Sequence, residues 1–174
     1  MSETLASTAT ESIIPGEIKT QSPPMPEFAA RPIEEVLDLQ AIYKTLYDAG
    51  RIKAGQEVYM VGFRSELGAG ADTEKLGEAD EEALEDAKKS PGYIDYGKGM
   101  VDDDGNCISF CIWQSVQAAK DATSGKAHSK AADMAPDSYK WHNLDFLMLS
   151  YTPEDGVIIS HRHSYFHPHE ALEL

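Results

Sequence analysis

Cysteine is scarce in this chain of 174 residues: Cys107 and Cys111, in "NCISFCIW", are the only two. If that segment is a strand, four residues at its extended rise put them about 13 Å apart on one face. A disulfide needs Cα atoms within about 7 Å, so both are expected as free thiols, which suits a reducing cytoplasm. A CxxxC pair without further cysteines is thin ground for zinc. Long apolar runs are missing too, none approaching the roughly 20 residues of a membrane span. The stretch "MSETLASTATESIIPGEIKTQ" has no basic region before an apolar core. It carries Glu3, Glu11 and Glu17 and no Arg, so neither a secretory signal nor a mitochondrial presequence is expected. Basic residues are outnumbered 15 to 30, for a net charge of −15. Such a surface repels phosphate backbones and anionic lipid, which excludes nucleic acid and membrane as expected partners. GxSxG, HExxH and dinucleotide fingerprints are absent, and the glycines of "LGAGAD" lack phosphate-loop spacing. The Asp-Asp-Asp-Gly of 102–105 lacks the alternating acids and distal Glu of a calcium loop. No cofactor and no metal is expected.

What is present describes a globular domain, 41% apolar and 26% charged, long enough for one core. Residues 1–30 are Ser/Thr-rich, then Pro-rich, and read as a flexible or extended tail. One domain is expected over 31–165 and a C-terminal tail over 166–174. In "PIEEVLDLQAIYKTLYDAG" Val36, Leu39, Tyr43, Leu46 and Tyr47 repeat at helical spacing, with Pro32 in the first turn and Gly50 at the end. "EVYMVGFRS" (57–65) reads as a strand. "DEEALEDAKK" reads as a short helix with Asp80 as its cap and Lys88 and Lys89 in its last turn. Strands 92–101 and 106–113 flank the Asp/Gly turn as a hairpin. An Ala-rich helical stretch follows, broken near Thr123-Ser124-Gly125 and ending around Pro136. Strands 142–151 and 157–163 flank "PEDG".

The order is helix, then β-α-β-β-α-β, then one more β. That is an α+β, ferredoxin-like split βαβ sheet with both crossover helices on one face, an extra N-terminal helix and a C-terminal strand. Alternation sets Ile108, Phe110 and Ile112 against Cys107, Ser109, Cys111 and Trp113. It sets Leu144, Phe146 and Met148 against Asp145, Leu147, Leu149 and Tyr151, and Tyr93 and Asp95 against Ile94 and Tyr96. Both faces are largely apolar and aromatic, whereas a free antiparallel sheet shows water a polar side. The crossover helices need only one face, so a second subunit is expected on the other: a homodimer.

The element order, the two-sided sheet and the domain size resemble the dimeric α+β barrel proteins, the antibiotic-biosynthesis-monooxygenase-like superfamily. More narrowly, "YIDYGKGMVDDDGNCISFCIWQSVQAAKDATSGKAHSKAADMA" followed by "SYKWHNLDFLML" resembles a fungal protein family. Its pattern is an aromatic-Gly strand, a turn, a strand ending in Trp-x-Ser, an Ala-rich helix with Gly-x-x-His, and an aromatic-rich strand. The match runs from Tyr93 to Leu149. The resemblance implies two sheets closing a barrel around a pocket. It also implies a cofactor-independent isomerase, lyase or monooxygenase of secondary metabolism, acting on a small aromatic or polyketide-like molecule. A non-catalytic small-molecule-binding or scaffold dimer is the other reading.

The candidate site residues follow from these faces. His128 shares a helical stripe with Ala131, Ala132, Ala135 and Tyr139. It is either a hydrogen-bonded structural histidine, the plainer reading, or a general acid/base at a pocket, with Tyr93 and Asp95 beside it as catalytic candidates. Trp113, Tyr96 and Tyr151 are either core and interface or the lining of a cavity for a planar molecule. Arg64 is either one half of a rim ion pair with Asp95 or a substrate-orienting group. In "HRHSYFHPH" (161–169) His161 and His163 share one strand face. Pro168 is expected to release the chain and leave His167 and His169 mobile, which argues against a preformed four-histidine metal site.

Overall fold

The computed structural model describes residues 25–99 and 101–170. Its frame is one antiparallel sheet of five strands: β1 (Val58–Leu67), β2 (Tyr93–Lys98), β3 (Asn106–Trp113), β4 (Tyr139–Thr152) and β5 (Gly156–Pro168). They lie in the order β2-β3-β1-β4-β5. The first four strands in that order make the ferredoxin-like split βαβ arrangement, and β5 extends it by a hairpin from β4. The expected fold class is the one observed.

Local chemistry starts and stops the elements. α3 (Leu39–Asp48) begins where the Asp38 carboxylate accepts from the Ala41 N–H at 3.0 Å. It ends where Gly50, at φ 70°, lets its own N–H reach the Tyr47 carbonyl and that of Arg51 reach Leu46. α4 (Thr73–Lys89) starts earlier than the sequence suggested: Asp72, not Asp80, accepts from the N–H three residues on, that of Lys75. Asp80 then falls mid-helix, free to reach the sheet. α5 (Val116–Thr123) and α6 (Lys126–Asp133) are separated at Ser124-Gly125, and α7 (Ala135–Ser138) carries Pro136 in its first turn. No helix among the described residues is long and apolar enough to cross a membrane.

Helices lie on both faces of the sheet. The Tyr96 hydroxyl donates to Asp80 at 2.7 Å, and the Lys98 ammonium bonds the same carboxylate at 2.6 Å, which ties α4 to one face. The opposite face is buried by the chain's own N-terminal helices: α1 (Glu27–Ala30), α2 (Ile33–Val36) and α3. Ile33, Leu39, Tyr43 and Leu46 pack there on Val58, Met60, Ile112, Leu147, Leu149 and Tyr151, all nearly inaccessible to solvent. Each such aliphatic side chain contributes about 1.5–3 kcal/mol, so this is the main core. A second subunit is therefore not needed to cover this face: the chain covers it itself.

Three further expectations change. Ile94 bulges out of register between β2 and β3, so Tyr93 opposite Trp113 and Tyr96 opposite Cys111 share a face that alternation had set apart. Part of the expected 1–30 tail belongs to the domain, because Ala29 in α1 is buried; residues 1–24 lie outside the described residues. β5 runs through Pro168, paired with Trp141, and the His169 N–H still donates to the Lys140 carbonyl at 2.8 Å. An edge strand tolerates a proline because one row of its N–H groups has no strand to pair with. His167 and His169 are thus held, not released.

Candidate functional site

Directly paired residues of an antiparallel ladder share a face, so the register shows what the α4 side of the sheet displays. β1 contributes Tyr59, Val61 and Phe63; β4 contributes His142, Leu144, Phe146 and Met148; β5 contributes His161, His163, Tyr165 and His167. α4 leans on the β2–β3 side, which leaves most of these side chains half-buried or exposed.

Their rings form a continuous ladder across three strands. Tyr59 lies parallel to Phe146, with centroids 6.3 Å apart, and Phe146 meets Tyr165 edge-on at 6.0 Å. Tyr165 meets His163 at 4.2 Å and His167 at 6.4 Å. His167 stacks on His142 at 4.5 Å, His142 on Phe63 at 5.3 Å, and Phe63 meets Tyr139 at 5.3 Å. At the end of the ladder His142 Nδ1 and His169 Nε2 share a hydrogen bond of 2.7 Å.

This environment sets protonation states. Burial, reinforced by His167 and His169, pushes the pKa of His142 down to about 4. The His169 imidazole is lowered too, by burial and by His167. His142 is therefore a neutral base at pH 7. If its Nδ1–H donates to His169, its Nε2 is left as the free acceptor. Burial raises the Tyr139 hydroxyl to about 12, with Cys107 and Asp80 adding to the effect, so that phenol stays a proton donor. The two bonded nitrogens are too close to splay around an ion at the usual Zn–N distance of about 2.0 Å each. Among the described residues no group of three or more His, Cys, Asp or Glu is disposed to hold a metal.

The residues expected at the site are scattered. Tyr93, Tyr96 and Trp113 do gather, at the β2–β3 end of the α4 face, with Tyr93 edge-on to the buried Trp113 at 5.6 Å. Among the described residues the Trp113 indole N–H has no hydrogen-bond partner. Tyr96 is spent on Asp80. Asp95 lies in register on the other face and meets Arg51 at 3.4 Å. Arg64 is also on that face, and its partner is Asp145, not Asp95. Tyr151 is buried against Tyr47 in the main core. His128 is solvent-exposed on α6, although the protein around its ring lowers its pKa by desolvation. Sequence reasoning passed over His142, Phe63 and Tyr59, and it set Tyr139 on the helical stripe of His128, whereas Tyr139 opens β4. Alternation with Leu144 and Phe146 was the one available signal for His142. Its imidazole neighbours come from β5, which only the strand register reveals. Both cysteines are free, as expected.

Several solved structures resemble the fold. SnoaB, a cofactor-independent oxygenase from Streptomyces nogalater, is 14% identical with a TM-score of 0.43, over 56% of this chain and 95% of that one. An antibiotic biosynthesis monooxygenase-like protein from Nitrosomonas europaea is 12% identical at 0.43, over 67% and 94%. Rv0793 from Mycobacterium tuberculosis is 13% identical at 0.45, over 57% and 99%. The fold assignment rests on the strand order above, not on these likenesses. No protein of curated function matches the sequence. One family model matches residues 5–161, nearly the whole chain, and the protein belongs to that family, the PB2B2.08-like family.

Proposed function

We propose that the protein is a cofactor-independent enzyme that moves a proton on a small aromatic or polyketide-like molecule laid against the ring ladder. The observation that carries this reading is the His142–His169 pair: a neutral, half-buried imidazole whose second nitrogen is held by another imidazole. A planar substrate stacked on Phe63 or Phe146 would place an acidic C–H or O–H near His142 Nε2. The proton moves to Nε2 while His169 accepts from Nδ1–H, and the ring system of the substrate holds the resulting charge. An isomerase returns that proton to another substrate atom; a lyase passes it to the departing fragment as the bond to that fragment breaks. A monooxygenase instead uses dioxygen as co-substrate: a substrate methylene gives up both hydrogens and becomes a carbonyl, one oxygen atom entering the product and the other leaving with those hydrogens as water.

Deuterium exchange at carbon acids reports proton abstraction whatever the later steps. A panel of hydroxylated naphthalenes and anthrones in heavy water, followed by NMR, should show exchange above background with the wild-type protein. His142→Ala should reduce it at least tenfold while the fold persists. Undiminished exchange in a folded His142→Ala protein would move the base elsewhere.

The second reading, a non-catalytic binding or scaffold homodimer, is favoured by one observation. Ile158 and Tyr165, on the same face of edge strand β5, are 49% and 53% exposed. With the N-terminal helices occupying the other face, this strip is where a second copy would dock.

A further inference from the structure

On the opposite face of β4, the N-terminal helices and β5 bound a groove of about 340 Å³. The chain has four arginines, and three of them, Arg31, Arg64 and Arg162, line it. Only Arg31 and Arg162 of these reach its exposed rim, in a protein of net charge −15. Arg64 spends four of its five N–H donors within the fold. It is 2% exposed, gives two bonds to Asp145 (2.7 and 2.8 Å) and donates to the carbonyls of Phe28 and Arg31. Asp145 also accepts from Ser164 at 2.7 Å. That triad is a satisfied wall which anchors α1.

Asn143, paired in register with Arg64, is different. It lines the groove and is 1% exposed, yet among the described residues its Nδ2 has no hydrogen-bond partner. A buried amide N–H without an acceptor destabilises a fold, and its persistence calls for a ligand that supplies one. At the rim, Arg31 and Arg162 each meet one glutamate, Glu35 at 3.5 Å and Glu34 at 2.6 Å, through pairs that are largely exposed. Each guanidinium keeps donors to spare. Ile33, Leu147 and Phe166 supply apolar wall between rim and amide.

We infer that this groove binds a small carboxylate with a flat apolar body and a second hydrogen-bond acceptor. The carboxylate meets the rim arginines, the body lies against the apolar wall, and the acceptor takes the Asn143 N–H. His163 also borders the groove, but the His142–His169 pair lies on the other face of the sheet, and the inference does not depend on the proposed reaction, because its readout is binding alone.

Fluorescence titration and calorimetry with 6-hydroxy-2-naphthoate test it on the full chain, beside 2-naphthoate, which lacks the second acceptor, and 2-naphthol, which lacks the carboxylate. The hydroxynaphthoate should bind at least tenfold more tightly than either. Arg162→Gln should weaken it several-fold. Asn143→Leu, close in volume, should weaken it at least tenfold while leaving the melting temperature equal or higher, since it removes an unpaired donor. No binding, binding indifferent to Asn143→Leu, or a lower melting temperature in that variant would each overturn the inference, the last by showing the amide to be satisfied within the fold.

Discussion

Acidification from pH 7 to pH 5 should destabilise this protein largely through one imidazole, and replacing His142 by Phe should remove that part of the loss. The pKa of His142 is about 4 in the folded chain against an ordinary 6.5. In that window the unfolded chain takes up the proton first, so stability is complete above pH 6.5 and falls as the pH drops toward 4. Full desolvation would make the loss between pH 7 and 5 about 2 kcal/mol, and the partial exposure of the ring reduces it to about 1 kcal/mol. Phe in place of His142 keeps the contact with Phe63 and cannot titrate. Urea denaturation of both proteins at pH 7, 6 and 5 measures the difference. His169 and His128 shift the same way and remain in the variant, so the comparison is of slopes, not of absolute stabilities. NMR titration of the His142 ring proton gives the folded value directly. Equal losses in the two proteins, or a His142 titration near 6.5, would refute the claim that burial keeps this base neutral.

Two other outcomes follow from the packing. Asp145→Ala strips Arg64 of both carboxylate bonds in a buried setting, and it should cost about 3–5 kcal/mol by urea denaturation; Arg64→Met with Asp145→Leu should recover most of that. A single-mutant cost below about 1 kcal/mol would mean the pair is more hydrated than its 2% and 4% side-chain exposures indicate. Light scattering at micromolar concentration should find a dimer that Tyr165→Glu or Ile158→Glu dissociates. A wild-type monomer would remove the scaffold reading.

The chain's own residues determined the element order. Hydrophobic periodicity marks α3, the turn residues Asp102–Gly105 and Pro153–Gly156 mark the two hairpins, and β-αβ-β-αβ leaves essentially one antiparallel topology. Those signals are local, carried within a few residues of where they act. The free thiols were legible for the same reason: along one strand, distance is fixed by count. The sites were not legible, because each is made of residues far apart in sequence whose meeting depends on register. A one-residue bulge at Ile94 moved Tyr96 to the face of Tyr93, and a bulge between Met148 and Leu149 set the alignment of β5 against β4. Only that alignment stacks His167 on His142, and only the strand's continuation past Pro168 brings in His169. Which face stood open was decided by the N-terminal helices. Their apolar stripe was visible in the sequence, but the surface it would cover was not, since burial pairs two surfaces and one chain segment carries only its own half.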